Sequence, residues 1–145
     1  MGDPVTTLPD DIDPVMRAIF EEGKGGELAI RMGIEFLELS ASYSVATMPV
    51  EGNRQIVGLL HGGAHLVLGE SLGSISSAIY AGHGRMAVGI EISASHTRSV
   101  TSGWVTGTCT AIALGRTLAT HEIVITNDDG ERLSTVRMTN YLKSR

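Results

Sequence analysis

One cysteine, one tryptophan, two phenylalanines and three tyrosines are all that this 145-residue chain holds of those types. Cys109 alone can close no intrachain disulfide and cannot build a zinc–thiolate cluster. With so few aromatics the core must come from Val, Ile, Leu, Met and Ala, and 18 glycines let backbones approach closely. Charge is also thin, at 19% of residues, with a net −5 and no run of Lys or Arg. Nothing here neutralises a row of phosphates, which disfavours a nucleic-acid partner. Two or three arginines would still suffice for a small phosphorylated ligand. The sparse charge leaves room for another subunit to cover part of the surface. The beginning of the chain is acidic and proline-containing, unlike a basic-then-apolar export signal, so a cytoplasmic location is expected.

What is present suits one domain with a real core, since 42% of residues are hydrophobic. Residues 1–24 read as a loose acidic leader and a short helix, and residues 25–145 as a single domain. Pro14 suits a first helical turn, and Val15, Met16, Ala18, Ile19 and Phe20 supply its apolar residues. Gly23, Gly25 and Gly26 end it. Residues 34–50 read as one strand whose imperfect alternation predicts a bulge or bend, with Pro49 marking its end. Residues 60–81, rich in Ala, Leu and Ser and free of proline, predict a helix of roughly 30 Å. It is apolar nearly all round and belongs inside protein or lipid. Glu70, His65 and the many Ser and Gly residues weigh against a membrane span.

Four strand-like runs follow, at 86–94, 103–113, 117–126 and 132–142. Turn-forming residues separate them at Ser102-Gly103, Leu114-Gly115-Arg116 and Asn127-Asp128-Asp129-Gly130. In the first run Val88, Ile90 and Ile92 are expected on one face. The order implies an α+β fold, an antiparallel sheet curled around one long central helix.

The start of that helix is the most informative place. His61, Gly62 and Gly63 precede its first turn, where amides lack intrahelical partners and the positive end of the dipole lies. Two residues without side chains let a ligand oxygen reach those amides, and a thioester carbonyl could be polarised there. The competing reading is close packing of Gly62 and Gly63 against the sheet. Glu70 sits two turns further in, where an apolar setting would raise its pKa and make it a base or nucleophile. Otherwise it is a hydrogen-bonded interface carboxylate. Gly62 and Glu70 are eight residues apart, about 12 Å along a helix. One carbonyl cannot meet both, so joint action requires two subunits with antiparallel helices.

Ser74 falls one turn beyond Glu70 on the same face, placed either to hold the carboxylate or a water or to bond back to the helix. Gln55 is an uncharged donor just before the helix, or simply an exposed loop residue. Arg98 and Arg116 stand at or near turns and could hold phosphates, though solvated arginines are the commoner outcome. His61 and His65 have metal-like i, i+4 spacing, but Gly-Gly-Ala lies between them in place of a catalytic Glu, and Glu70 is off their shared face. No metal is expected. Cys109 with a remote His as a nucleophilic pair has weaker support still.

The run Q-x-x-G-L-L-H-G-G-A-x-x-x-L-x-E-S-x-G-S from Gln55 to Ser74 resembles the signature of hotdog-fold thioesterases of the phenylacetate-pathway and enterobactin-associated type. The branch is that of 4-hydroxybenzoyl-CoA and 1,4-dihydroxy-2-naphthoyl-CoA thioesterases. The likeness spans about Gly33 to Leu142, with G-I-E-F at Gly33, M-P-V at Met48, A-S-H-T-R ending at Arg98 and G-R-T at Gly115. The leader is outside it, and Ser93 and Ser95 stand where related sequences often carry Asn.

The resemblance implies Glu70 as nucleophile or general base and the Gly62 amide as the group that polarises the carbonyl, assisted by Gln55 and His61. It implies Ser74 as support for the hydrolytic water. Coenzyme A contacts are implied at Gly89, at His96, Thr97, Arg98 and Ser99, and at Ala113, Leu114, Gly115, Arg116, Thr117 and Leu118. It further implies active sites shared across a homodimer, dimers pairing into a homotetramer, and no cofactor beyond the coenzyme A of the substrate.

The expected function is therefore hydrolysis of an acyl-CoA thioester, with an aromatic acyl group suggested by the resemblance alone. Rival readings are a non-catalytic acyl-CoA binding module, which needs no acid at Glu70, and a thioesterase acting on an acyl-carrier protein. A hotdog hydratase is disfavoured, since no D-x-x-x-x-H stretch is present.

Overall fold

The computed structural model describes residues 6–22 and 25–145. The expected helix stop at Gly23 and residues 1–5 of the leader lie outside them. Helix α1 (Pro14–Glu21) begins as its sequence dictates. Pro14 occupies the first turn, and the Asp13 carboxylate accepts the amides of Val15 at 2.9 Å and Met16 at 3.4 Å. His83 Nδ1 lies 2.9 Å from the same carboxylate and, with those amides, holds it below the usual range.

The described leader is not loose. Thr7 N–H donates to Leu37 O and Leu39 N–H donates to Thr7 O, both at 2.9 Å. Phe20 packs edge-on against Phe36 with ring centroids 5.6 Å apart, so α1 belongs to the main core.

Two elements go beyond expectation. Helix α2 (Glu27–Met32) is only six residues long and is closed by Gly33 at φ 73°, a left-handed cap that suits glycine. Residues 34–50 form two strands, β1 (Glu35–Glu38) and β2 (Tyr43–Pro49), paired antiparallel. Ser40 makes the turn between them, its hydroxyl donating to Tyr43 O at 2.6 Å and accepting Tyr43 N–H at 3.0 Å. That local bonding competes with extended pairing, which is why one predicted strand is a hairpin.

The long helix is α3 (Gly62–Ala81). Ala64, His65, Leu68, Gly69, Leu72, Gly73, Ser76 and Ser77 form its buried face against the sheet. A Cβ on Gly69 would come within 2.8 Å of Val136, and one on Gly73 within 2.9 Å of Met138, so the helix backbone rests directly on strand side chains. Among the described residues no helix is long and apolar enough to cross a membrane.

Strands β3 (Arg85–His96), β4 (Trp104–Leu114), β5 (Leu118–Thr126) and β6 (Arg132–Ser144) complete a six-stranded antiparallel sheet ordered β1-β2-β4-β5-β6-β3. The expected α+β arrangement, a sheet around a central helix, is therefore present. β3 is an edge strand of 12 residues, exposed along most of its length. Its register with β6 slips between Gly89 and Glu91. Val88 consequently faces Tyr141 on the outer surface, while Ile92 faces Met138 on the inner one. Val88, Ile90 and Ile92 do not share a face, because the bulge at Ile90 interrupts the alternation.

Candidate active site

His61 caps α3, with Nδ1 accepting Gly63 N–H at 2.8 Å, and its carbonyl accepts Ala64 N–H at 2.9 Å. Nδ1 is thus an acceptor, which puts the imidazole proton on Nε2, facing outward from the cap. Among the described residues the Gly62 amide has no acceptor. It is the free donor at the positive end of a 20-residue helix. Both glycines were candidates, and the capping bond separates them.

Gln55 lies just upstream in a tight loop, where its amide N–H donates to Leu59 O at 2.8 Å and its side-chain oxygen accepts Val57 N–H. With the oxygen engaged, the side-chain NH2 is left to donate. Beside Gly62 stands the end of β3: a Cβ on Gly62 would lie 3.1 Å from His96 Nε2. His96 Nδ1 is 2.8 Å from Ser134 Oγ, and its ring packs on His65 at 5.0 Å between centroids. His65 is buried with Nδ1 unpartnered, and burial, with the neighbouring His96 adding to it, lowers its pKa to about 4. The i, i+4 histidines are therefore divided between a solvent-facing cap and a buried ring. A pocket of about 350 Å³ opens here, lined by Leu60, Gly62, His65, His96 and Arg98 among others. A larger cavity, about 580 Å³, lies at the other end of α3 beside Asp13, Tyr80 and His83, away from the Gly62 amide.

Glu70 is two turns along α3 and exposed, so the chain does not supply the desolvation expected of it. Its Oε1 stands 3.5 Å from the point a Gly89 Cβ would occupy. Gly89 thus adjoins the carboxylate, although the resemblance assigned it to coenzyme A. Ser74 follows at i+4, and its hydroxyl donates to Asn140 Oδ1 at 3.5 Å. Cys109 faces Ser76 in the core, where burial pushes its thiol up to about 12, so it is no nucleophile.

The suggested coenzyme A contacts fall into separate places. His96, Thr97, Arg98 and Ser99 lie at the Gly62 end of α3, with Arg98 paired to Glu131 at 3.5 Å. Ala113 and Leu114 end β4, Gly115, Arg116 and Thr117 make the turn, and Leu118 begins β5, at the other end of α3. There Tyr80 Oη donates to Leu114 O at 3.1 Å and Arg85 Nη1 to Arg116 O at 3.0 Å. A single chain does not bring the two groups together.

A family model described as "Thioesterase superfamily" matches residues 57–134, more than half of the chain. This chain belongs to the thioesterase superfamily. It is 44% identical over 114 residues to the proofreading thioesterase EntH of Cronobacter turicensis, covering 78% of this chain and 83% of that one. A relative of the same name from Klebsiella pneumoniae is 39% identical over 112 residues, covering 77% and 82%. Among solved structures, a mutant thioesterase of Pseudomonas aeruginosa superposes with a TM-score of 0.82 at 33% identity, covering 94% of this chain and 97% of that one. A thioesterase of Haemophilus influenzae gives 0.81 at 28%, covering 97% and 95%. The chain is a thioester hydrolase of the hotdog fold.

Several buried polar residues around the helix escaped the sequence reading. Asn140, Ser134, Ser77 and His121 are fully buried polar groups. Three of them sit on strands far from α3 in sequence. Their signal was positional, since each strand residue occupies an inward place in an otherwise apolar alternation, as Asn140 does between Met138 and Leu142.

Proposed function

We propose that this hotdog thioesterase hydrolyses an acyl-CoA with an aromatic acyl group to a free acid and coenzyme A, as a homodimer whose two sites are shared between subunits. In this reading Glu70 supplies the electron pair, directly or by taking a proton from water. The Gly62 amide, with the Gln55 and His61 donors, takes the charge that develops on the carbonyl oxygen. No cofactor beyond substrate coenzyme A takes part, and the cytoplasm, where acyl-CoA is available, is its place of work. Pairing of dimers into a tetramer follows the family resemblance.

The carrying observation is a separation. Gly62 and Glu70 lie on one unbroken helix, eight residues and so about 12 Å apart, too far to act on one carbonyl. Glu70 meanwhile faces the free edge strand over Gly89. An edge with unpaired amides and exposed Val88 and Ile90 is a template for another strand. Antiparallel self-pairing of β3 about a two-fold at Ser93, with Ile90 as the extra bulged residue, would set Gly89 opposite His96 of the partner subunit. That register would carry Glu70 to the partner's helix start. It would also bring the partner's Arg98 toward Arg116, uniting the two sets of coenzyme A contacts.

A second reading is a substrate whose thioester is borne by a carrier protein, since the same carboxylate and amide would serve the same bond there. Thiol release from a panel of aromatic and aliphatic acyl-CoAs, for wild type beside Glu70→Gln, tests both. Turnover of aromatic acyl-CoA that collapses about 100-fold or more in a folded Glu70→Gln supports the first reading. Cleavage confined to acyl-carrier-protein thioesters moves the second ahead, and full activity in Glu70→Gln removes Glu70 from its role.

A further inference from the structure

A line of buried polar side chains runs beneath α3 toward Ser74, and the site as described makes no use of it. His121 Nε2 is 2.7 Å from Ala41 O, and its Nδ1 is 3.4 Å from Ser77 Oγ. Asn140 Nδ2 donates to Ser77 Oγ at 3.1 Å and to Gly73 O at 3.5 Å. Ser74 Oγ donates to Asn140 Oδ1 at 3.5 Å. His121, Ser77 and Asn140 have no solvent exposure.

Two backbone carbonyls fix the direction of every bond in this line, because a carbonyl can only accept. Ala41 O requires the proton of His121 on Nε2. Burial lowers the pKa of this ring, leaving Nδ1 to accept from the Ser77 hydroxyl. Gly73 O requires the nitrogen end of the Asn140 amide to face the helix, so the amide cannot be flipped. Both Asn140 donors are then engaged, and the atom turned toward Ser74 is an acceptor. A serine hydroxyl has one proton, and Ser74 commits it to Asn140. Its lone pairs alone remain for anything near Glu70.

We infer that Asn140 is a positioning residue that makes Ser74 a hydrogen-bond acceptor, so that the hydrolytic water is held by one proton on Glu70 and the other on Ser74. This rests on the proposed thioesterase reading. A water with both protons so engaged turns its lone pair outward, toward the substrate carbonyl. It attacks the carbonyl carbon, giving one proton to the Glu70 carboxylate and keeping the other as the hydroxyl of the new acid. The C–S bond then breaks, and the thiolate takes the proton back from Glu70. An unrestrained Ser74, one turn from Glu70, would instead donate to the carboxylate and occupy the base.

The test compares kcat and KM on the fastest acyl-CoA of the panel for Asn140→Leu, Ser77→Ala, Ser74→Ala and the Asn140→Leu/Ser74→Ala double variant. Melting temperatures establish folding. Asn140→Leu is expected to lower kcat about 10-fold to 100-fold with little change in KM. In the Ser74→Ala background the same change should cost almost nothing further, since there is no hydroxyl left to orient. Wild-type kcat in Asn140→Leu, or an equal loss with and without Ser74, overturns the inference. If Asn140→Leu does not fold, Ser77→Ala carries the comparison, with a smaller kcat loss that likewise vanishes without Ser74. Glu70→Gln is run alongside. Retained turnover there defeats the reading underneath, whereas its loss beside an unimpaired Asn140→Leu defeats this inference alone.

Discussion

Nε2 of His96 lies 3.1 Å from where a methyl on Gly62 would begin. The imidazole cannot simply swing away, because its other nitrogen is 2.8 Å from Ser134 Oγ and its face rests on His65. Gly62→Ala should therefore crowd the helix start, displace His96 and obstruct the free amide. We expect kcat to fall at least roughly tenfold while the melting temperature moves little, since alanine suits a helix. Steady-state kinetics beside a thermal melt checks this.

A shared site predicts complementation. Glu70→Gln and Gly62→Val should each be inactive alone. Subunits mixed at random give heterodimers in which one site has both mutations and the other neither. Equal mixing should recover about a quarter of wild-type activity. Recovery of none, with exchange shown by differently tagged subunits, would mean that both groups act within one chain.

His65 makes stability depend on acid. Its folded pKa is lowered from 6.5 to about 4 by burial first and by His96 second, so the unfolded chain binds the proton more readily. The stability from keeping this ring neutral is complete above pH 6.5 and is lost as pH falls toward about 4. The loss should be on the order of a few kcal/mol. His121 shifts in the same direction. His65→Leu should therefore reduce, without abolishing, the fall in melting temperature between pH 7 and pH 4. Parallel slopes for the two proteins would be the contrary result.

Cys109 is fully buried, and its thiol is raised to about 12. The native protein should resist a thiol-alkylating reagent at pH 8 and take up one equivalent after unfolding in denaturant. Mass spectrometry of the two reactions reads this directly. Rapid native labelling would show that the core opens around β4.

The long proline-free apolar run from Leu60 and the turn residues between the later strands made the central helix and its four strands readable, because each run is long and clearly bounded. Shorter features were hidden. Glu27–Met32 has six residues and no side-chain cap at Gly26, so neither periodicity nor capping announced α2. The hairpin at Ser40 was merged into one strand because β1 has only four residues. The bulge at Ile90 cannot be read from one strand, since it exists only in the pairing with β6. At the proposed site, Gly62, Glu70 and Ser74 were singled out by their spacing along one helix. Asn140 contributes from a distant strand, and only three-dimensional closure reveals its contact with Ser74.

The capping bond from Gly63 to His61 has a bearing on product release. It leaves the mouth of α3 with one open amide where an uncapped helix would offer more. A carbonyl brings a single oxygen to be received there, and one donor suits it. A carboxylate brings two oxygens and a full negative charge, for which paired amides would make a far better cradle. Capping by His61 withholds the second amide, so under the proposed mechanism the helix end suits the thioester carbonyl and suits poorly the acid made from it. In that mechanism a weaker grip on the product would favour turnover over retention of the spent acid.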